Sequence, residues 1–421
     1  MAKLFLGRLK GQPLVKREGD LLKIKLLSTP QVVKEFIPNA IDARREGYRS
    51  LTIDISRVNK RSVVPNVLVP ITAFCENLIS TTPDLTIEVI GDDGFSEYHN
   101  FPYPKAAGLT KQHKSIFNRV WKFDSPEDVF KLVTEYIDEI YEVDIFEEKS
   151  ILTAIEWCLN EVMDNVIQHA DCEYGYVMGT IDTTKKIVSF CVADAGKGIL
   201  ESLKSSGTYM PKTATDAITL ALREGVTRDK SIGQGNGLWG LHQIVYGNTG
   251  VLRVSSAGAT IDSSISGETS RGSYVWLNKN KGGTVLDFQL DYSNPLSLKS
   301  VLAGYEPMSI KINNATNEDG TIIHYKLIDK KTGFGTRSSG ERLRKELINL
   351  VLESGRPTDI DFSGVGVVSS SFADEFIGKL FTYFGPVKFN QFVRMTNMND
   401  AIETIINKAM EQRLKNETDS L

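Results

Sequence analysis

The segment EVMDNVIQHA, residues 161–170, carries Glu161, Asp164, Asn165 and Gln168 in a stretch whose apolar residues recur at three- and four-residue spacing. Glu161 and Asn165 are four residues apart, so a helix places one side chain a turn above the other. Polar side chains gathered on one side of an otherwise apolar helix can belong to a functional site. An isolated pair of this kind is usually a solvated polar face, so motifs further along the chain must decide between the two interpretations.

A second motif is VADAGKGI, residues 192–199. Asp194 stands at the end of an apolar strand and is followed by Gly196 and Gly198. Glycines permit positive φ and let the backbone approach a ligand closely. On its own, the motif is more typical of a tight turn after a strand.

A third motif is GQGNGLWGL, residues 233–241, which opens a helix expected from about residue 238. Exposed amides at a glycine-rich helix start suit phosphate. The spacing Gly235-x-Gly237-x-x-Gly240 also fits a dinucleotide fingerprint, but the preceding segment is polar and is not the strand that such a loop must follow. A phosphate loop of the Walker type is absent from the sequence as well.

These motifs, with a further Gly-Thr pair, follow one another in the order Glu161-x-x-x-Asn165, Asp194-x-Gly196-x-Gly198, Gly233-x-Gly235-x-Gly237-Leu238 and Gly283-Thr284. In this order they resemble the ATP-binding domain shared by gyrase, heat-shock chaperones, histidine kinases and mismatch-repair ATPases, the GHKL superfamily. Within that group, NEVMDNVIQHA and GVTRDKSIGQGNGLWGL are most similar to the anti-sigma-factor serine kinases. The resemblance covers about residues 115–292 and implies a two-layer α/β sandwich that binds ATP and Mg²⁺.

The resemblance also implies a role for individual residues. Asn165 would hold Mg²⁺, Glu161 would orient or deprotonate the attacking group, and Asp194 would accept from the adenine amino group with Thr284 nearby. The remaining nucleotide contacts would come from Gly196, Gly198, Gly233, Gly235, Gly237, Leu238, Arg228 and Lys230. For Arg228 and Lys230, a solvated loop is an equally good interpretation. Asp164 differs from the smaller or uncharged residue that relatives often carry at this position.

The C-terminal region has a resemblance of its own. The segments FGTRSSGERLRKEL and IDFSGVGVVSSSFADEFIGKL are similar to the STAS-like domains found beside such ATPases, over about residues 305–400. Anti-sigma-type kinases phosphorylate a serine at a strand–helix junction of STAS domains, and Ser371 or Ser370 is the counterpart here. The spacing Ser371-x-x-Asp374 also fits a helix capping box, which would explain the serine without any phosphate.

The order of strand and helix patterns predicts a mixed α/β (α+β) protein of about three domains. We expect an α/β unit over residues 1–110, the ATP-binding domain over 115–292, a STAS-like domain over 300–405 and a polar tail over 406–421. The breaker-rich segment at 91–108 indicates the first boundary.

The two ends share a pattern of helix, glycine, apolar strand and Asp-x-Ser-x-Val, seen in REGYRSLTIDISRV and LESGRPTDIDFSGV. This match indicates either a repeated fold, with a STAS-like N-terminal unit, or two unrelated strand–helix units.

Composition narrows the function classes. The 421 residues carry a formal net charge of −4, so nucleic acid is not expected as the main ligand, and the sequence lacks an apolar run of about 18 residues that could span a membrane. The four cysteines have neither zinc-site nor disulfide spacing. A cytoplasmic location is expected.

Three functions fit this sequence. The protein would bind Mg-ATP and transfer the γ-phosphate to a protein serine, or hydrolyse ATP to time a switch, or act as a nucleotide-gated interaction module with little or no turnover. Glu161 favours turnover. None of the five histidines is followed by Asp or Glu, which argues against a histidine kinase. The protein partner is not identified by the sequence, and a homodimer is an open alternative.

Overall fold

The computed structural model describes residues 12–107, 115–143, 150–223, 237–263, 269–277, 282–302, 316, 321–330 and 333–418. The chain divides into two compact units, Met1–Gly304 and Tyr305–Leu421. Both combine helices with sheets, so the predicted mixed α/β class is confirmed.

The strands described in the first unit are β1 (Val15–Glu18), β2 (Leu21–Ile24), β3 (Ser50–Asp54), β4 (Thr86–Ile90), β5 (Lys105–Ala106), β6 (Trp121–Phe123), β7 (Gly175–Asp182), β8 (Ile187–Asp194), β9 (Val251–Ser256), β10 (Ala259–Ser263), β11 (Thr269–Ser273) and β12 (Thr284–Asp291). Its described helices are α1 (Gln31–Arg45), α2 (Pro65–Thr81), α3 (Phe95–His99), α4 (Pro126–Val143), α5 (Ser150–His169), α6 (Gly198–Ser205), α7 (Ala214–Ala221), α8 (Gly237–Gly247) and α9 (Leu298–Val301).

The N-terminal part of this unit is a four-stranded sheet in the order β1-β2-β3-β4. Strands β2, β3 and β4 run parallel, because α1 and α2 provide the crossover connections between them. Leu51 and Ile53 of β3 are buried on one face, as expected for alternation along a strand. At the end of β3, Asp54 accepts hydrogen bonds from the backbone N–H and the hydroxyl of Ser56, which turns the chain out of the sheet.

The central sheet has eight strands in the order β11-β10-β9-β12-β8-β7-β6-β5. On one face, Phe190 and Phe288 pack with Tyr136 of α4, and α5 and α8 lie on this side. On the opposite face, Met178 and Cys191 belong to the apolar core that includes α2. Helix α2 therefore adds a layer that the sequence did not predict, so the central sheet is covered on both faces.

Two sequence expectations change in this region. The segment at 91–108 was predicted to be a boundary, yet it contributes α3 and β5, and β5 pairs with β6 in the central sheet. The segment SYVWLN, residues 273–278, reads as a strand because of its aromatic and β-branched residues. Strand β11 instead spans Thr269–Ser273, and Tyr274 adds one hydrogen bond in the same register, from its N–H to the backbone oxygen of Gly258.

The strands described in the second unit are β13 (Ile323–Lys326), β14 (Thr358–Asp361) and β15 (Val393–Thr396), which form a parallel sheet in that order. Its described helices are α10 (Arg337–Ser354), α11 (Ser370–Ala373), α12 (Lys379–Phe392) and α13 (Asp400–Thr418), with a π-helical turn at Asp374–Gly378 between α11 and α12. The polar tail expected from residue 406 is helical as far as Thr418, as part of α13, where Ile406 and Ala409 are buried.

The two ends of the chain share a topology. Both sheets contain three parallel strands in sequential order, joined by helices. The turn after β14 also repeats the turn after β3, because Asp361 accepts from the backbone N–H and the hydroxyl of Ser363. The Asp-x-Ser similarity in the sequence therefore corresponds to the same local structure in both units.

Candidate functional site

The first part of the candidate site is the polar face of α5. Glu161 and Asn165 are half-buried there, one turn apart. The Asn165 side-chain N–H donates to the backbone oxygen of Glu161 at 2.7 Å, which leaves the amide oxygen as the group that could ligate a cation. Gly237, the first residue of α8, lies directly opposite. A Cβ added there would be 2.5 Å from Oε2 of Glu161 and 3.6 Å from Nδ2 of Asn165.

Residues 161 and 237 are thus brought together although they are far apart in the chain. The contact depends on close packing of α5 against α8. A Cβ at Gly240 would clash with the ring of Trp157, so this glycine lets the two helices approach. Gly240 therefore has a packing role, whereas Gly237 borders the polar side chains.

The second part of the site is the carboxyl end of β8. Asp194 is buried, and its Oδ1 accepts from the N–H of Gly196 at 2.8 Å. Gly196 passes so close to the backbone oxygen of Ala170 that a side chain would clash with it, and that oxygen accepts from the N–H of Lys197 at 2.8 Å. Since Ala170 follows the last residue of α5, these contacts fix the loop after Asp194 against the end of the helix that carries Glu161.

The strands beside β8 complete this part of the site. Thr284, the first residue of β12, pairs in register with both Asp194 and Ser256. Gly283 has a φ of +74° and donates its N–H to the backbone oxygen of Gly196 at 2.9 Å. A Cβ at Gly283 would lie 2.5 Å from the backbone oxygen of Asp194, so the close approach requires glycine here.

Ser256 is a site residue that the sequence did not reveal. Its hydroxyl is buried, accepts from the N–H of Ile199 at 2.9 Å and donates to the backbone oxygen of Gly283 at 3.0 Å. Gly198 has a φ of +73°, and a Cβ there would lie 2.8 Å from the Ser256 hydroxyl. Ser256 joins the start of α6 to the start of β12. The only hint in the sequence is a hydroxyl at the end of an apolar strand.

Two carboxyl groups in this region have altered acidity. Burial raises the pKa of Asp194 to about 6, although hydrogen bonds from Gly196 and Thr284 oppose the rise. Burial also raises the pKa of Asp164 on α5 to about 6. Both groups therefore titrate close to neutral pH, which is common for functional carboxylates and also occurs in buried structural ones.

Some of the predicted residues fall elsewhere. Arg228, Lys230, Gly233 and Gly235 lie outside the described residues. Leu238 packs against the small apolar cluster of α6 and α7, so it helps to fix the start of α8.

The serines of the second unit require a correction. The predicted capping box Ser371-x-x-Asp374 is wrong, because the N-cap lies two residues before Ser371. Ser369 is the N-cap, and its hydroxyl accepts from the N–H of Phe372 at 3.0 Å. Asp374 instead accepts two 2.8 Å hydrogen bonds from Arg413 of α13.

The hydroxyl groups at this helix start differ in their surroundings. Ser371 lies 3.0 Å from the Ser369 hydroxyl. Ser370 is exposed and has no hydrogen bond through its side chain to any residue that the structure describes.

Comparison with known families gives a match within the second unit. Residues 339–403 match the family described as a STAS-like domain of unknown function (DUF4325). These residues form a STAS-like domain. The predicted STAS-like resemblance is thereby confirmed for this part of the chain, which includes Ser370 and Ser371. A search of curated proteins gave no match to the chain.

Membrane-spanning potential was assessed for the described helices. None of them combines the length and the apolar character needed to cross a bilayer.

Proposed function

We propose that the region over residues 115–292 binds Mg-ATP at the site formed around Glu161, Asn165 and Asp194. The observation that carries this proposal is the convergence of motifs that are separate in the sequence. Gly237 lies against Glu161 and Asn165, while the loop after Asp194 is fixed to the end of the same helix. A solvated polar face on α5 would not require a glycine on the facing helix.

The adenine amino group would be bound by Asp194. An ionised carboxylate has about four acceptor positions, and the described backbone and threonine contacts use only part of this capacity. Burial excludes water as a competitor. The acceptor would therefore favour a base that presents an N–H, as adenine does.

The cation would be bound by the Asn165 amide oxygen. The described residues contain no group of three or more His, Cys, Asp or Glu side chains that could hold a metal ion. Mg²⁺ usually keeps several waters and binds few protein groups when phosphates are present. A single amide oxygen fits a cation that arrives with the nucleotide and neutralises its phosphate charge.

Glu161 would act on the attacking group. Its carboxylate borders the first residue of α8, whose N-terminal amides suit phosphate oxygens. A carboxylate at this position can accept a proton from water or from a hydroxyl group as the bond to the γ-phosphorus forms. Turnover is therefore proposed over the alternative, a nucleotide-gated interaction module with little or no turnover.

The acceptor of the phosphate would be either water or a protein serine. Ser370 is the better candidate within this chain, since Ser369 serves as the helix cap and Ser371 is hydrogen-bonded to Ser369. Transfer would form a phosphoserine and leave ADP. Hydrolysis would give ADP and free phosphate.

The test uses purified full-length protein with γ-labelled ATP and Mg²⁺, and it measures free phosphate and protein-bound label separately. We expect Glu161→Gln to bind ATP but to lose about 10²–10⁴-fold in rate. Asn165→Ala should lose the Mg²⁺-dependent part of ATP binding. Equal turnover by wild type and Glu161→Gln would contradict the catalytic role.

Ser370→Ala, with Ser371→Ala as the matched control, locates the acceptor. Loss of protein-bound label in Ser370→Ala alone supports serine transfer. Free phosphate without protein-bound label supports hydrolysis. ATP binding without either product supports the interaction module.

A further inference from the structure

A second concave site lies at the edge of the central sheet, between α7 and β11. The cavity has a volume of about 390 Å³ and is lined by Met210, Pro211, Asp216, Thr219, Leu220, Arg223 and Arg271. None of the described residues assigned to the nucleotide lines it. The cavity therefore requires its own explanation.

The charges around the cavity are not balanced. The Asp216 carboxylate already takes part in the capping box at the start of α7, where it accepts from the N–H of Thr213 at 3.2 Å. Arg223 and Arg271 are exposed, and neither forms an ion pair with any residue in the described part of the chain. Two guanidinium groups at an open cavity suit carboxylates, to which they can donate paired hydrogen bonds.

The backbone beside the cavity also offers hydrogen bonds. All five residues of β11 pair with β10, and β11 is the terminal strand of the sheet among the strands that the structure describes. An exposed terminal strand presents unpaired N–H and C=O groups along its outer edge. Arg271 lies in this strand directly opposite the buried Ile261, on the face of the sheet that α7 covers. An added strand would direct alternate side chains toward the same face.

The cavity has an apolar part as well. Met210 is 80% exposed, and Leu220 is half-buried beside it. Methionine adapts its shape to different apolar groups, so it suits a partner side chain that enters from outside. The ligand class that meets all of these features has an extended backbone, acidic side chains and an apolar side chain between them.

We infer that this edge binds an extended acidic peptide segment of a partner protein, which adds as a strand beside β11. Its acidic side chains pair with Arg223 and Arg271, and an intervening apolar side chain enters the cavity at Met210. Main-chain hydrogen bonds supply affinity in this mode of recognition, and alternate side chains supply specificity.

The probe is a fluorescently labelled heptapeptide, Thr-Glu-Thr-Leu-Thr-Glu-Thr, whose alternation places both acids and the leucine on one face. The same peptide with lysine in place of glutamate is its control. Anisotropy with full-length protein should show binding of the acidic peptide, weaker at higher salt, and little binding of the lysine peptide. The double variant Arg223→Gln with Arg271→Gln should bind about threefold to tenfold more weakly. Arg45→Gln, an exposed arginine on α1, should bind as wild type does.

A second measurement distinguishes addition of a strand beside β11 from ion pairing alone. Hydrogen exchange at the amides of residues 269–273 should slow when the acidic peptide binds, in wild type and in Arg45→Gln. Equal binding of both peptides, unchanged affinity in the double variant, or unaltered exchange in β11 would each overturn the inference. So would binding of a single-stranded oligonucleotide through the same arginines in preference to the peptide, or dimerisation that the double variant abolishes. Since none of these readouts uses ATP, failure here is distinct from failure of the nucleotide site.

Discussion

Replacement of Asp194 by asparagine should stabilise the protein while it weakens ATP binding. The two effects have one cause, a carboxyl group held in a buried position at the end of β8. Burial raises the pKa of Asp194 from its ordinary value of 3.8 to about 6. Asparagine keeps a side-chain oxygen for the Gly196 N–H and never carries the charge that burial disfavours.

The magnitude follows from the pKa. The rise is about two pKa units, and one unit corresponds to about 1.4 kcal/mol, so the ionised carboxyl costs about 3 kcal/mol at neutral pH. In the unfolded chain the group loses its proton near pH 4, as ordinary aspartate does, whereas in the folded protein it keeps the proton until about pH 6. The wild type therefore loses stability as pH rises from about 4 through about 6, and Asp194→Asn does not.

The assay is urea unfolding of wild type and Asp194→Asn between about pH 4 and pH 7.5. We expect similar stabilities at the acid end and a variant up to about 3 kcal/mol more stable at the neutral end. Asp42→Asn, at an exposed aspartate on α1, is the control for the same substitution at the surface. Lower stability of Asp194→Asn at neutral pH, or a difference that does not change with pH, would refute the reasoning.

The same substitution should weaken ATP binding, although it stabilises the fold. A hydrogen bond to a charged group contributes about 1.5–3 kcal/mol, so Asp194→Asn should bind ATP at least tenfold more weakly by calorimetry. For the wild type, affinity should fall as pH drops below about 6, because the protonated carboxyl is a poorer acceptor. Unchanged ATP affinity in the stable variant would remove Asp194 from the site.

Three further changes test the packing around the site and in the second unit. Gly240→Val places a side chain against the ring of Trp157, so it should lower the free energy of unfolding by about 1–3 kcal/mol in urea titrations. An unchanged urea midpoint would mean that α5 and α8 are not packed as described. Asp287→Asn should stabilise the protein at neutral pH and lose this advantage toward pH 4, since burial raises the pKa of Asp287 to about 6. A difference in unfolding free energy between variant and wild type that does not change with pH would contradict this. Asp374→Ala removes two hydrogen bonds from Arg413 and should lower the free energy of unfolding by about 1–2 kcal/mol. A double-mutant cycle with Arg413 isolates the contribution of the pair, and additive effects of the two single substitutions would show that the pair is not coupled.

Sequence patterns alone determined the local features of this protein. The three- and four-residue spacing in residues 151–166 predicts α5 and its buried face, because a helix brings residues at this spacing to one side. The Asp-x-Ser pattern shared by the two ends is also local, since its hydrogen bonds join residues two apart after β3 and β14. The STAS-like resemblance likewise rests on a contiguous stretch, which the match at 339–403 supports.

Tertiary structure decided the features that join distant segments. The contact of Gly237 with Glu161, the bridging hydroxyl of Ser256 and the covering of the central sheet by α2 each depend on how whole elements pack. The helix start at Ser369 was missed for the same reason. Asp374 has the spacing of a capping residue, but its carboxylate accepts hydrogen bonds from Arg413 of the last helix. Local patterns fix which conformations a segment favours, whereas the partner of each buried polar group depends on residues that only folding brings near.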